Sequence, residues 1–193
     1  MKNLLSALLS VTLAITPMLS FAQSKVSYAL PRAVVGLLEG AYGSCSGVVV
    51  APERVLTAYH CKDAASDTFD GKKTEVLREI PDYDLLLLKV EDQTCPCVPV
   101  GIEPALDSDV IAVGNPLGIH QVVTEGAYQG KFKNPKAPEI VGSSVFSAQA
   151  EGGFSGGGIF QQQKGKWKLV GLVSAGSATV TIGPGTDRIN KIF

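Results

Sequence analysis

Three positions carry side chains able to cleave a bond by nucleophilic attack, and they occur in the order His, Asp, Ser. His60 lies near the end of Val55-Leu56-Thr57-Ala58-Tyr59-His60-Cys61, where a strand gives way to a turn and presents an imidazole. Asp84 precedes Leu85-Leu86-Leu87-Leu88, the entrance to a strand apolar on both faces and therefore buried. Ser155 sits inside Gly152-Gly153-Phe154-Ser155-Gly156-Gly157-Gly158. A serine hydroxyl is a poor nucleophile until an imidazole takes its proton, and the imidazole needs a carboxylate to fix its tautomer and stabilise its cation. The glycines permit backbone conformations that aim successive N–H groups into one concavity, where Gly153 and Ser155 would bind an oxyanion. Taken singly, the segments read as a structural histidine, a solvated strand end and a flexible loop. Their joint occurrence points to a catalytic set that needs neither cofactor nor metal. Asp82 competes for the third role; Asp84 is preferred because the apolar run begins immediately after it.

The elements that must position these groups are short strands. The chain of 193 residues is 45% hydrophobic and 18% charged, with 17 basic against 18 acidic groups, which excludes disorder and a nucleic-acid-binding field. Lys2, an apolar run from Leu4 to Leu19 and the ending Ser20-Phe21-Ala22 form a secretory signal over residues 1–22. That run is too short and too polar for a membrane span, and no later stretch offers 18 uncharged apolar residues. The mature protein is expected to be secreted or periplasmic, with no stable membrane span. Gln23–Arg32 reads as a tail or short propeptide. Beyond it, apolar runs separated by Gly, Pro and Asn predict strands at Ala33–Leu38, Ser46–Val50, Arg54–Thr57, Thr74–Arg78, Leu85–Val90, Asp109–Val113, Gln121–Tyr128, Ile140–Phe146, Gly157–Phe160, Lys168–Ser174 and Ser177–Ile182. This is an all-β chain with about the strands that two small barrels need. Helix is expected only at a turn around Ala58–Lys62 and over Thr186–Phe193. The proline-marked stretch Thr94–Pro104 divides a first half, residues 33–95, from a second, residues 96–193.

Cys45, Cys61, Cys95 and Cys97 allow three pairings, and an oxidising compartment favours disulfides. Cys95-Pro96-Cys97 can close only a strained ring. As a zinc site it lacks ligands, since His120 is the one histidine left over.

The three chemical segments resemble the catalytic motifs of the trypsin/chymotrypsin-like serine proteases, as Thr-Ala-x-His-Cys, Asp-Leu-x-Leu-Leu and Gly-x-Ser-Gly-Gly. Ser44-Cys45-Ser46-Gly47-Val48-Val49-Val50 is similar to that family's strand ahead of the histidine, and Val170-Gly171-Leu172-Val173-Ser174-Ala175-Gly176 to the strand lining its cleft. The resemblance implies two six-stranded antiparallel β-barrels with a short C-terminal helix, the first barrel carrying His60 and Asp84 and the second Ser155. It implies a Cys45–Cys61 disulfide, worth roughly 3 kcal/mol in the chain-entropy view, and leaves Cys95 and Cys97 as an uncertain second pair. It implies a peptide or protein substrate bound by Ser174, Ala175 and Gly176 as an added strand. Gly114-Asn115-Pro116-Leu117-Gly118 followed by Gln121-Val122-Val123-Thr124-Glu125-Gly126 resembles the bacterial HtrA/Deg-type branch. That branch usually adds a PDZ domain, and here a bare protease domain is expected.

Phe154 replaces the aspartate that pairs with a freed N-terminus in proteases activated by cleavage, so that ion-pair switch is absent. Activity is expected without cleavage after Arg32. Tyr59 replaces a small residue beside the histidine. By the family's spacing, Gln149 floors the specificity pocket, and its neutral amide offers Arg or Lys no counter-ion. Val173 stands where glutamate-specific relatives have histidine, so small or medium uncharged side chains are expected. A rival reading is a catalytically silent homologue acting as a secreted binding module, with Phe154 tilting the Gly153 peptide. An esterase reading of Gly153-Phe154-Ser155-Gly156-Gly157 fails because no helix can follow three glycines.

Overall fold

The computed structural model describes residues 27–193 except 64, 65 and 120. The expected signal, residues 1–22, and His120 lie outside the described residues. Strands β1 (Val35–Gly40), β2 (Gly43–Ala51), β3 (Arg54–Thr57), β4 (Thr68–Phe69), β5 (Lys72–Ile80) and β6 (Leu85–Val90) close into a barrel in the order β1-β2-β3-β6-β5-β4. Closure is made where Leu38 of β1 faces Phe69 of β4. β7 (Asp109–Gly114), β8 (Val122–Lys131), β9 (Ser144–Phe146), β10 (Gly158–Gln163), β11 (Lys166–Leu172), β12 (Ala175–Gly176) and β13 (Thr181–Gly183) form an antiparallel sheet in the order β11-β10-β7-β8-β9-β13-β12. The double-barrel fold expected from the resemblance is present, with the second half a curled seven-stranded sheet that ends on β12 rather than a closed six-stranded barrel.

Apolar residues on alternate positions explain why the halves pack as they do. In β7, Val110 and Ala112 enter the second core with Phe146, Phe154 and Val170, whereas Ile111 and Val113 join the first barrel's core beside Val48, Leu86 and Phe160. β7 is thus buried on both faces. So is β6, whose four leucines are all at most 6% exposed, as the unbroken apolar run requires.

Local differences from the sequence expectation have local causes. Ala33 and Val34 belong to helix α1 (Ala29–Val34), not to the first strand. Pro31 falls in its first turn, where its missing N–H goes unused. Tyr28 packs edge-on against Trp167 at 5.9 Å, and the Trp167 indole N–H donates to the Ser27 carbonyl. Six residues are too few for a helical period to show. Ile140 lies in a tight turn, Pro138–Ile140, and pairing begins only at Ser144, after Gly142 has taken φ +81. The C-terminal helix, α2 (Thr186–Ile189), is shorter than expected. Both cysteine pairs, Cys45–Cys61 and Cys95–Cys97, are disulfides. Among the described residues no helix is long and apolar enough to cross a membrane.

Candidate active site

Antiparallel pairing brings His60 and Asp84 together. Thr57 at the end of β3 faces Leu86 near the start of β6, so the turn leaving one strand meets the turn entering the other. His60 rides on a single tight turn, Tyr59–Cys61, and Asp84 closes another, Pro81–Tyr83, in the left-handed region at φ +53. Aspartate tolerates that region better than most residues. The His60 Nδ1–H donates to Asp84 Oδ2 at 2.9 Å and lies 3.1 Å from Oδ1, while the His60 backbone N–H donates to Oδ1 at 2.9 Å. Asp82 is exposed in the turn and takes no part.

The hydrogen bond to Asp84 raises the His60 pKa above its ordinary 6.5, against the opposing effect of burial. Burial pushes Asp84 up, but hydrogen bonds from the His60 ring and the His60 N–H, with the Ser174 hydroxyl close by, together outweigh it and leave the carboxyl below 3.8. The Ser174 hydroxyl is buried with no partner of ordinary hydrogen-bond geometry among the described residues. Its nearness still favours the ionised carboxylate. Sequence reasoning gave Ser174 a backbone role and missed this one, for which strand position alone carries no signal.

The His60 ring bonds run to Asp84 through Nδ1, leaving Nε2 for another partner. Ser155 is half-buried in the turn before β10, and its hydroxyl is not hydrogen-bonded to that nitrogen. Such contacts often tighten only with substrate present. What the structure fixes is the Ser155 backbone. The Ser46 N–H donates to the Ser155 carbonyl at 2.7 Å, the Gly156 N–H to the Val173 carbonyl at 2.7 Å, and the Val173 N–H to the Gly157 carbonyl at 2.9 Å. A side chain at Gly156 would meet Thr57 Oγ1 at 2.0 Å, so only glycine fits there.

The N–H directions of Gly153 and Ser155 follow from the carbonyls in the same peptide planes, because N–H and C=O of a trans peptide point oppositely. The Leu117 N–H holds the Gly152 carbonyl at 2.8 Å, and the Gly157 N–H holds the Phe154 carbonyl at 2.7 Å. Both peptides therefore turn their N–H groups away from those partners. Gly153 takes φ +93, and a side chain on it would meet the Asn115 carbonyl at 2.4 Å. Phe154 is 2% exposed and packs over Gly114 in the second core, so its bulk leaves the turn undisturbed. Tyr59 is half-buried under Lys62, whose ammonium lies 5.8 Å from the ring centre.

β12 is the last strand of its sheet, with Ala175 and Gly176 exposed and paired on one side to β13. Gln149 is exposed on the segment alongside, where Ala150 bonds to Ser177 and packs on Gly176. The sulfurs of Cys45 and Cys61 lie near the His60 ring, but both are consumed in their disulfide and are not free to bind a metal. A cavity of about 730 Å³, lined among others by Tyr28, Glu125 and Trp167, contains none of these groups.

Residues 45–172 match the trypsin-like peptidase domain family. The active form of the Rv3671c protease from M. tuberculosis is similar in structure, with a TM-score of 0.71 at 21% identity over 85% of this chain and 81% of that one. The HtrA-type protease AlgW with a tripeptide gives 0.69 at 24% identity over 86% and 62%. The serine endoprotease from Yersinia pestis gives 0.70 at 20% identity over 86% and 65%. No match was found among curated protein sequences. With most of both barrels inside the matched span, the chain belongs to the trypsin-like peptidase domain family, the serine endopeptidases of the double-barrel fold.

Proposed function

We propose that the protein hydrolyses peptide bonds in extended polypeptides through an acyl-enzyme on Ser155. The Ser155 Oγ attacks the scissile carbonyl carbon as His60 Nε2 takes its proton, and Asp84 orients the ring and stabilises its cation. The oxyanion so formed is bound by the N–H groups of Gly153 and Ser155. The intermediate collapses by returning the His60 proton to the leaving amine, and water then repeats the cycle on the ester. The observation that carries this reading is the 2.9 Å bond from His60 Nδ1 to Asp84, which fixes the tautomer that leaves Nε2 as the base.

Substrate adds as a strand to the open edge at Ser174, Ala175 and Gly176. Gln149 and Val173 supply no charge to the pocket beside it, which favours small or medium uncharged side chains. A peptide library cleaved chiefly after Arg or Glu would contradict that preference. The two disulfides suit an oxidising compartment, and we assign the protein to the periplasm or the cell exterior.

A fluorophosphonate probe, which reacts only with an activated serine, tests the nucleophile. Label is expected on Ser155 of the wild type and absent from Ser155→Ala. A folded wild-type protein that takes no label would overturn the reading.

A further inference from the structure

Ser46 meets the glycine-rich turn twice. Its N–H donates to the Ser155 carbonyl at 2.7 Å, and its hydroxyl donates to the Gly153 carbonyl at 2.8 Å. The same hydroxyl accepts from the Asn115 N–H at 2.8 Å and from Asn115 Nδ2 at 3.2 Å, so its donor and both lone pairs are used. Asn115 Nδ2 also donates to the Gly36 carbonyl on β1 at 2.9 Å. Ser46 is fully buried and Asn115 is 7% exposed, so water offers these bonds little replacement.

The consequence falls on Gly153. Its preceding peptide is held by Leu117, two residues beyond Asn115, and its following peptide by the Ser46 hydroxyl. The following peptide is also tied through the Phe154 N–H, which donates to the Glu151 carbonyl at 3.0 Å and closes the turn. Turning the Gly153 N–H out of the site requires compensating rotation about the bonds of Gly152 and Gly153, and the held peptides oppose it. The ties reach the first barrel, through Ser46 on β2 and Gly36 on β1, and so refer a turn of the second sheet to the half that carries His60 and Asp84. Phe154 cannot form the ion pair that would otherwise anchor this turn.

We propose that Ser46 is a positioning residue for the oxyanion hole, its hydroxyl held by Asn115 and fixing the Gly153–Phe154 peptide. This rests on Gly153 and Ser155 binding the oxyanion as proposed above.

The test compares wild type, Ser46→Ala and Asn115→Ala, with active sites counted by fluorophosphonate titration. Ser46→Ala should lower kcat roughly 10- to 100-fold, short of the loss when an oxyanion donor is itself removed. KM should stay within about twofold, as expected for an interaction made in the transition state. Affinity for a peptide boronic acid, which becomes tetrahedral on Ser155, should fall in parallel with kcat/KM, while affinity for the matching product peptide holds. Asn115→Ala, which keeps its backbone N–H to Ser46, should show the same pattern at roughly 3- to 10-fold. It carries the test alone if Ser46→Ala does not fold. Variants that lose stability but keep titrated kcat and boronate affinity would overturn the proposal. Failure of the wild type to take label strikes instead at the underlying reading of Ser155.

Discussion

The two halves of the site are held by different kinds of bond. His60 and Asp84 come from one barrel, leave neighbouring antiparallel strands and are joined side chain to side chain. Gly153 and Ser155 come from a turn of the second sheet; their N–H groups are aimed by the Gly152 and Phe154 carbonyls, held by Leu117 and Gly157, while Ser46 holds the peptide between them. On the proposed mechanism, a substitution in the first half changes the chemistry while leaving the geometry. One behind the second half changes the geometry and leaves every reacting group in place.

The sharpest break is Asp84→Asn. The amide keeps the shape but favours the wrong imidazole tautomer, and kcat is expected to fall about 10⁴-fold with little change in KM. Circular dichroism should be unaltered. A loss below tenfold would show that the Asp84 contact does not set the tautomer, and the contrast between the halves would dissolve. Loss of the Ser46 hydroxyl should cost far less, because it misaligns a donor that is still present.

The Cys45–Cys61 disulfide lies within the first barrel and ties the strand that carries Ser46 to the turn that carries His60, since Cys45 adjoins Ser46 and Cys61 adjoins His60. Replacing both cysteines by alanine should cost roughly 3 kcal/mol in urea unfolding, by the chain-entropy argument for a loop of this length. Titrated kcat should stay near wild type, because hydrogen bonds still tie Ser46 to the turn. A large fall in kcat at unchanged stability would make the disulfide a strut of the site.

What was legible in the sequence follows the same division. His60, Asp84 and Ser155 are recognisable by type and order, and β6 by its unbroken leucines. Ser46 and Asn115 lie inside segments visible as motifs, yet their work depends on peptide planes that residue type does not encode. α1 escaped because tertiary contacts of Tyr28, Pro31 and Val34 decide it. β4 and β12, at two residues each, are too short to alternate.

A pH profile separates the halves more finely. The base must be neutral, so kcat/KM should rise with pH through a midpoint above 6.5, where Asp84 has raised His60. Asp84→Asn should move that midpoint down, whereas Ser46→Ala should lower the plateau without moving it. The linked stability has a definite sign. His60, raised on folding, contributes below its unfolded value and loses that contribution as pH climbs through its folded value. Asp84, lowered on folding, contributes above its unfolded value of about 3.8 and loses that contribution as pH falls through its folded value. The pair therefore supports the fold most between these limits. A midpoint that follows Ser46 would contradict the assignment of that residue to the oxyanion side.

The smallest effect concerns Arg32, at which the sequence allows an activating cut. The Arg32–Ala33 bond lies inside α1, with the Arg32 carbonyl accepting from Gln121 Nε2 at 2.8 Å. A second bond from Gln121 Nε2 reaches the Val35 carbonyl at 2.8 Å, so the same side chain bridges the helix and β1. A protease needs an extended segment, and this one is helical and packed on Trp167 through Tyr28. A new ammonium at Ala33 would find no carboxylate at position 154, because Phe154 is buried there. Arg32→Gln should change titrated kcat/KM by less than about twofold, an exposed charge being of small consequence here. An inert Arg32→Gln protein beside an active cleaved form would mean that the oxyanion turn is ordered by processing. Ser46 would then serve only the processed state.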